Sequence, residues 1–274
     1  MGFSLQRLRA HTENEGVMNK TVRIVIFTQN EATFLVPALD YFLRRVNNNC
    51  KILGAVVFDA SPFGKKQSFI QKALIIIEIF GLEFVARYGL STIWSKKFGR
   101  DVKKIFAQHG VPIIKVTGSI NSEKSLETLR ALDADLFISI TGNQIFKKPL
   151  LEIPRLGTLN LHTALLPKYR GLMPSFWVLK NKEKHTGVSV FFVDEGIDSG
   201  PILVQEKINI DNISQWELIR MTKFLGMEAV LEGIELIQSG DYELIPNNEE
   251  DSTYYSFPTR QDVIEFKRGG NRFF

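Results

Sequence analysis

Asn160 and His162 stand two residues apart in the segment GTLNLH (157–162), which is otherwise apolar apart from Thr158. In an extended chain residues i and i+2 point to one face, so the amide and the imidazole are expected to project side by side. Farther on, VFFVDEGIDSGPIL (190–203) puts Asp194, Glu195 and Asp198 into a Gly-containing turn between two strand-like runs. An amide, an imidazole and a carboxylate near strand ends are the groups with which a site donates hydrogen bonds and moves protons. Each also has a plainer use. A polar residue inside a strand is commonly satisfied by backbone partners, and Asp with Gly suits the conformation of a turn.

The elements that must position these groups follow from hydrophobic period. TVRIVIFT (21–28), CKILGAVVFD, VPIIKVTG, ADLFISITG, GTLNLH, TGVSVFFVD and GPILVQEKINI read as strands. Helical patterns alternate with them, which argues for an α/β fold, a Rossmann-like, mostly parallel sheet flanked by helices. FLVPALDYFLRRV keeps Leu35, Leu39 and Phe42 on one helical face, the stretch from 65 to 109 reads as two helices, and SEKSLETLRALD as another. The long amphipathic run after residue 214 opens on Ser214 with Glu217 three residues on, a capping-box signature. The expected division is a polar extension over 1–20, with Met18 as an alternative start, a catalytic domain over 21–240 and a short helical C-terminal extension over 241–274. In that extension Thr259 or Ser256 caps a short helix ending at Gly269 and Gly270.

Composition narrows the chemistry. The 274 residues carry a formal net charge of +4 with Lys and Arg interspersed among nearly as many acids, which gives no concentrated footprint for nucleic acid. One cysteine, Cys50, excludes an internal disulfide and makes a Cys-based metal site improbable; a reducing, cytoplasmic setting is expected, and no metal motif is visible. The apolar run FIQKALIIIEIFGLEFVARY (69–88) is interrupted by Gln71, Lys72, Glu78, Gly81 and Glu83, so it reads as a packed helix rather than a membrane span, with a membrane-surface or dimer-interface role as the alternative and a lid or a subunit contact as other uses of the 61–98 segment. Open parallel sheets bind ligands at the carboxyl ends of their strands. After the first strand the sequence runs FTQNEATFL with no G-x-G-x-x-G, which disfavours a nicotinamide or flavin. In ALLPKYRG, Lys168 and Arg170 are candidates for meeting an anionic acceptor; Phe176 and Trp177 are expected in the core, and His185, His109 and His11 on the surface without partners.

The order LNLH, ALLPKYRG, TGVSVFFVDEGIDSGPI resembles the formyltransferases that use 10-formyltetrahydrofolate, whose members carry Asn-x-His, a Leu-Pro-x-Tyr/Trp-Arg-Gly turn and then an Asp in a Leu/Ile-Asp-x-Gly segment. The likeness extends upstream through NQIFKKPLLEIPRLG and spans about residues 21–210. It implies the formyltransferase fold, catalytic roles for Asn160, His162 and Asp198, and folate contacts along Gln144, Ile145 and Phe146 and along Glu195, Gly196 and Ile197. The chemistry of the residues agrees with it. Formyl transfer to an amine passes through a tetrahedral species, which needs a donor for the developing oxyanion and a route for protons from the amine to the departing folate nitrogen. Asn160 and protonated His162 can donate, and Asp198 can orient the imidazole or relay a proton.

The acceptor is expected by elimination. The methionyl-tRNA member of the family carries a further C-terminal barrel, whereas about 75 residues follow Asp198 here. The purine-pathway member has a Gly-rich phosphate loop where this chain has TQNEATF, and a formyl-folate hydrolase carries an N-terminal regulatory domain. What remains is a small-molecule amine, an amino-deoxysugar on a nucleotide, with no nucleic acid and no membrane span among the expected partners; a folate-binding protein without turnover is the reading from another class.

Overall fold

β1 (Val22–Gln29) shows how the sheet is made. Its alternation sends Ile24 and Ile26 into one core and Val25 and Phe27 into another, so the strand is buried on both faces. β2 (Cys50–Phe58) and β3 (Leu136–Ile140) flank it in parallel, and β4 (Thr158–His162) pairs in parallel with β3. β6 (His185–Phe192) and β7 (Ile202–Asn209) complete the sheet antiparallel, in the order β2-β1-β3-β4-β6-β7. The computed structural model describes residues 21–59, 69–98 and 100–274. The expected extension over 1–20, with Met18 and His11, and the 61–68 part of the expected lid lie outside them.

One face of the sheet is covered by α1 (Leu35–Arg45) and by the long α8 (Gln215–Ser239). α1 buries Leu35, Leu39 and Phe42, as its period predicts. α8 begins with the Ser214/Glu217 capping box and ends at Gly240 in the left-handed conformation. Met227, Val230 and Ile234 of α8 share a core with Leu159, Leu161 and Val190 of the sheet; burying each such side chain stabilises by about 1.5–3 kcal/mol. Gly226 allows that approach, since a Cβ there would lie 2.6 Å from Leu161 Cδ2. Helices α5 (Glu123–Arg130) and α6 (Lys148–Leu151) cover the other face, over Phe27, Phe137 and Phe146.

Two expectations need correction. VPIIKVTG is not a strand of the sheet: Pro112 has no N–H to give, and only one bridge forms, between Ile113 and Ala55. Gly118, at φ +75°, then turns the chain. The described residues of the 65–109 region hold three helices, α2 (Phe69–Phe80), α3 (Leu82–Lys97) and α4 (Val102–Gln108). Gly81, at φ +88°, separates the first two, and Asp101 caps the third through the N–H groups of Lys103 and Lys104. Among the described residues no helix is long and apolar enough to cross a membrane.

A second core lies under the C-terminal segment. α7 (Pro174–Lys180) buries Phe176 and Trp177, and Phe176 stacks on Phe266 of α9 (Arg260–Arg268), ring centroids 4.8 Å apart. Thr259 caps α9 in a capping box with Asp262. The two-residue strand β5 (Arg170–Gly171) pairs in parallel with β8 (Tyr254–Tyr255), which brings the tail against the turn that follows β4.

Candidate active site

β4 divides its residues by face. Leu159 and Leu161 enter the core beneath α8, and Asn160 and His162 project from the opposite face. Register sets their neighbours: Asn160 lies between Ser139 of β3 and Phe191 of β6, and His162 is opposite Ser189. Asn160 is half-buried, and its amide has no hydrogen-bond partner among the described residues. His162 is 6 % exposed and is held through Nε2. Its Nε2 lies 2.7 Å from the Tyr169 carbonyl oxygen. A carbonyl only accepts, so Nε2 carries a proton and donates it. Nδ1 therefore holds the lone pair of the neutral ring, and it faces Asp198 Oδ2 at 3.6 Å. A second proton on the ring would sit on Nδ1, beside that carboxylate.

Asp198 reaches this position from the turn after β6, with φ +50°, a conformation Asp tolerates better than most residues. Its Oδ2 accepts the Gly171 N–H at 2.8 Å. Gly171 itself sits at φ +94°, and a Cβ there would lie 2.3 Å from the Tyr255 carbonyl, so only glycine fits between the tail and the carboxylate. The chain leaving His162 is held by Ser189, whose hydroxyl donates to the Ala164 carbonyl (2.8 Å) and accepts the Leu166 N–H (3.0 Å), while Gln205 donates to the Leu166 carbonyl (2.8 Å).

The tail closes the arrangement, and nothing in the sequence points to it. Asn247 donates from Nδ2 to the carbonyls of Asp198 (2.9 Å) and Gly200 (2.8 Å) and accepts from Arg170 Nη2 at Oδ1 (2.9 Å). Thr253 accepts the Tyr169 N–H on its hydroxyl (2.8 Å) and the Arg170 N–H on its carbonyl (2.8 Å). One tail segment thus ties the turn that holds His162 to the turn that carries Asp198. The partners lie more than 45 residues apart, so no local pattern announces them.

The remaining expected residues divide. Gly196 and Ile197 line a cavity of about 280 Å³ between the Asp198 turn and tail residues Glu249, Ser252 and Tyr254, with Arg170 on its wall; Glu195 is exposed beside them. Asp194 organises that turn, accepting from Ser199 Oγ (2.6 Å) and the Gly196 N–H (3.0 Å). Gln144, Ile145 and Phe146 lie in the segment after β3 and do not line this cavity. Gln144 Oε1 accepts the Ile120 N–H (2.9 Å) and Ile145 is exposed. The Phe146 ring is buried against Phe27, centroids 5.0 Å apart, which leaves mainly its backbone to meet a ligand.

The cations also divide. Arg170 is buried and paired with Glu249, and Lys180 is paired with Asp262 (2.7 Å) and Glu265 (2.9 Å), so both serve the tail rather than an anionic acceptor. Lys168 and Lys182 are exposed. His109 and His185, expected without partners, have them: Nε2 of His109 lies 2.8 Å from Asp40 Oδ1, and Nδ1 of His185 lies 2.7 Å from Asn209 Oδ1. At the carboxyl end of β1 the Glu31 carboxylate accepts the N–H groups of Thr33 (2.6 Å), Phe34 (2.9 Å) and Leu35 (2.8 Å). These are the amides a phosphate would use at a helix start, and here the chain's own carboxylate fills them. Lys223 of α8 is pushed down to about 8 by burial, against the opposing pull of Glu31. Among the described residues no group of three or more His, Cys, Asp or Glu could hold a metal ion.

Comparison with known proteins fits this geometry. A methionyl-tRNA formyltransferase of Kosmotoga olearia is 35 % identical over 171 residues, 61 % of this chain and 55 % of the relative. Its counterpart in Thermotoga maritima is 34 % identical over 164 residues, 60 % and 52 % of the two chains. The chain spans about half the length of these curated relatives. Among solved structures, an N-formyltransferase from Helicobacter canadensis, in complex with folinic acid and dTDP-3-aminofucose, covers 88 % of this chain and 72 % of its own, with TM-score 0.53 and 20 % identity. A phosphoribosylglycinamide formyltransferase from Anaplasma phagocytophilum covers 87 % and 100 %, with TM-score 0.59 and 16 % identity. At such identities these two show the fold alone. The family profile described as formyl transferase matches residues 96–231, the stretch that carries Asn160, His162 and Asp198, and the chain belongs to that family.

Proposed function

We propose that this protein transfers a formyl group from 10-formyltetrahydrofolate, bound as co-substrate, to the primary amine of a small acceptor. The observation that carries the reading is the meeting of a free Asn160 amide, the Nδ1 side of His162 and the Asp198 carboxylate on one face of the sheet. The amine nitrogen bonds to the formyl carbon, the bond from that carbon to the folate nitrogen breaks, and the proton lost by the amine ends on the folate nitrogen. Asn160 Nδ2 donates to the developing oxyanion. His162 carries a second proton on Nδ1, the only ring position not committed to Tyr169, and donates from there. Asp198, with one oxygen held by the Gly171 N–H, keeps that imidazolium in place and accepts the amine proton for delivery. Gly196 and Ile197, on the cavity wall, and Glu195 beside them are proposed for the folate, with the 144–146 segment contributing chiefly through backbone.

The acceptor we favour is an amino-deoxysugar carried on a nucleotide. Likeness of fold does not choose the acceptor, since the N-formyltransferase complexed with dTDP-3-aminofucose and the phosphoribosylglycinamide formyltransferase cover 88 % and 87 % of the chain. The carboxylate-filled helix start after β1 speaks against a phosphate bound there. The sequence relatives favour a second reading, formylation of methionyl-tRNA. The experiment supplies 10-formyltetrahydrofolate with a panel of amino-sugar nucleotides, with charged initiator tRNA or with no acceptor, and follows tetrahydrofolate release and formylated product. Product on an amino sugar supports the reading. Efficient formylation of the tRNA replaces the acceptor, and release that no acceptor accelerates points to hydrolysis.

A further inference from the structure

Helix α3 is largely apolar on its outward side, and among the described side chains of α2 Leu74 is exposed, with the acid Glu78 one turn on. On α3 the exposed positions Leu82, Glu83, Ala86, Arg87, Leu90, Ile93, Trp94 and Lys97 recur at helical spacing and make one face. Leu82, Leu90, Ile93 and Trp94, with Phe98 just beyond the helix, are each 58–70 % exposed. The side turned toward the protein carries Ser91, Thr92 and Ser95 in the same turns, so the second half of α3 has its polarity reversed relative to a helix that serves only a core. The pair is nonetheless anchored. Phe80 and Phe84 stack on each other (4.6 Å) and meet Phe273 edge-on (5.7 and 5.0 Å), which fixes the platform to the core beneath the tail.

Charge identifies what the face suits. Lys97, Arg100, Lys103 and Lys104, which follow Trp94 closely in the sequence, are exposed. Asp101, the acid among them, spends its carboxylate capping α4, and Glu83 at the other end is paired with Arg87 (3.4 Å). A two-fold contact between copies would gather these cations twice around one interface with little to offset them. A surface of anionic headgroups over apolar chains complements both features, and Trp, Phe and Leu bordered by Lys and Arg are what an interfacial helix presents. We propose that the outer face of α3 docks this protein on an anionic lipid surface, with Leu90, Ile93, Trp94 and Phe98 entering the headgroup boundary and the four cations meeting the lipid charges. The chain then lies on the membrane surface, in keeping with the finding that no helix among the described residues is both long and apolar enough to cross.

The test is flotation of the full chain with vesicles of phosphatidylcholine alone and with added phosphatidylglycerol, together with tryptophan emission. Expected are binding to the anionic vesicles, weakening with salt, and a blue shift that Trp94→Ala abolishes, since Trp177 is buried and Trp216 is packed against Phe34 and Phe274. Introducing negative charge with Ile93→Glu and Trp94→Glu should remove binding while circular dichroism stays that of the wild type, because both side chains are exposed. Lys103→Gln should weaken partitioning by roughly fivefold, the effect of one cation near such a surface. Failure of the wild type to bind anionic vesicles, or unchanged binding by the double glutamate variant, overturns the proposal. A lipid-independent dimer dispersed by the same substitutions assigns the face to a second copy instead.

Discussion

Asn160 and His162 owe their places to backbone register: β4 is paired along both edges and its opposite face is packed beneath α8, so neither side chain can turn away without breaking the sheet. Asp198 has no such frame. It sits at φ +50° in the turn after β6, held by the Gly171 N–H and by the two bonds that Asn247 gives to the carbonyls of residues 198 and 200. The strand side of the site is therefore as stable as the sheet, and the Asp198 side is as stable as the tail's hold on it. Regions held by few bonds open more easily than the cores they border, so substitutions on the two sides should fail in different ways.

The largest effect is expected on the strand side. Asn160→Ala and His162→Ala should each lower kcat by about 100- to 1000-fold, as loss of a single oxyanion donor does, with the fold kept by circular dichroism. Because the residues act together, the double variant should lose little more than the worse single one. Fully additive losses would mean that the two side chains serve separate steps. Asp198→Asn comes next: it keeps an oxygen for the Gly171 N–H but removes the charge that faces His162 Nδ1. Turnover should fall by about 10- to 100-fold, the lower part of the range for positioned acid–base groups, and thermal stability should hardly move.

On the tail side Asn247→Ala should change stability and turnover together. It strips donors from two carbonyls and an acceptor from buried Arg170, a loss of about 1–3 kcal/mol if those groups go unpaired. The fall in kcat should be smaller than for Asp198→Asn, with KM for the amine acceptor nearly constant, because Asn247 acts through the Asp198 turn. Asn247→Asp retains the oxygen for Arg170 and loses the donors, so it separates the two anchors; kcat equal to the wild type there would show that the carbonyl bonds do not position Asp198.

The smallest effect concerns Lys223, whose folded value is lowered from 10.5 to about 8, chiefly by burial. A charge that costs more in the folded state is a penalty fully present below the folded value and relieved as pH rises through it. The stability gained by Lys223→Met over the wild type should therefore shrink between about pH 7 and about pH 9. The relief continues toward the unfolded value of 10.5, and the Cys50 thiol, pushed up to about 11 by burial, is common to both proteins and cancels from their difference. Urea midpoints of the two proteins across that range measure the change, and a constant difference would show that the lysine is not buried as described.

The same contrast explains what could be read in advance. β4 is legible because a strand's two-residue period assigns each side chain a face from its position alone, and the Ser214/Glu217 cap because its partners lie within one turn. VPIIKVTG misleads because its β-branched residues outweigh one proline, which removes the N–H a ladder needs. Arg170 reads as a free cation in ALLPKYRG, yet its partners Asn247 and Glu249 come from the tail. Long-range side-chain pairing has no period, so Asn247 and Thr253 could not be found from sequence, and the Asp198 side of the site was visible only as a turn.

The most direct test of the central claim is a single-turnover measurement with 10-formyltetrahydrofolate and an amino-sugar nucleotide, following tetrahydrofolate and formylated product together in the wild type and in His162→Ala. Transfer through His162 and its partners predicts that the acceptor accelerates folate release in the wild type, that product forms in equal amount, and that the variant slows both by about 100-fold or more. Near wild-type transfer by a folded His162→Ala protein would contradict it.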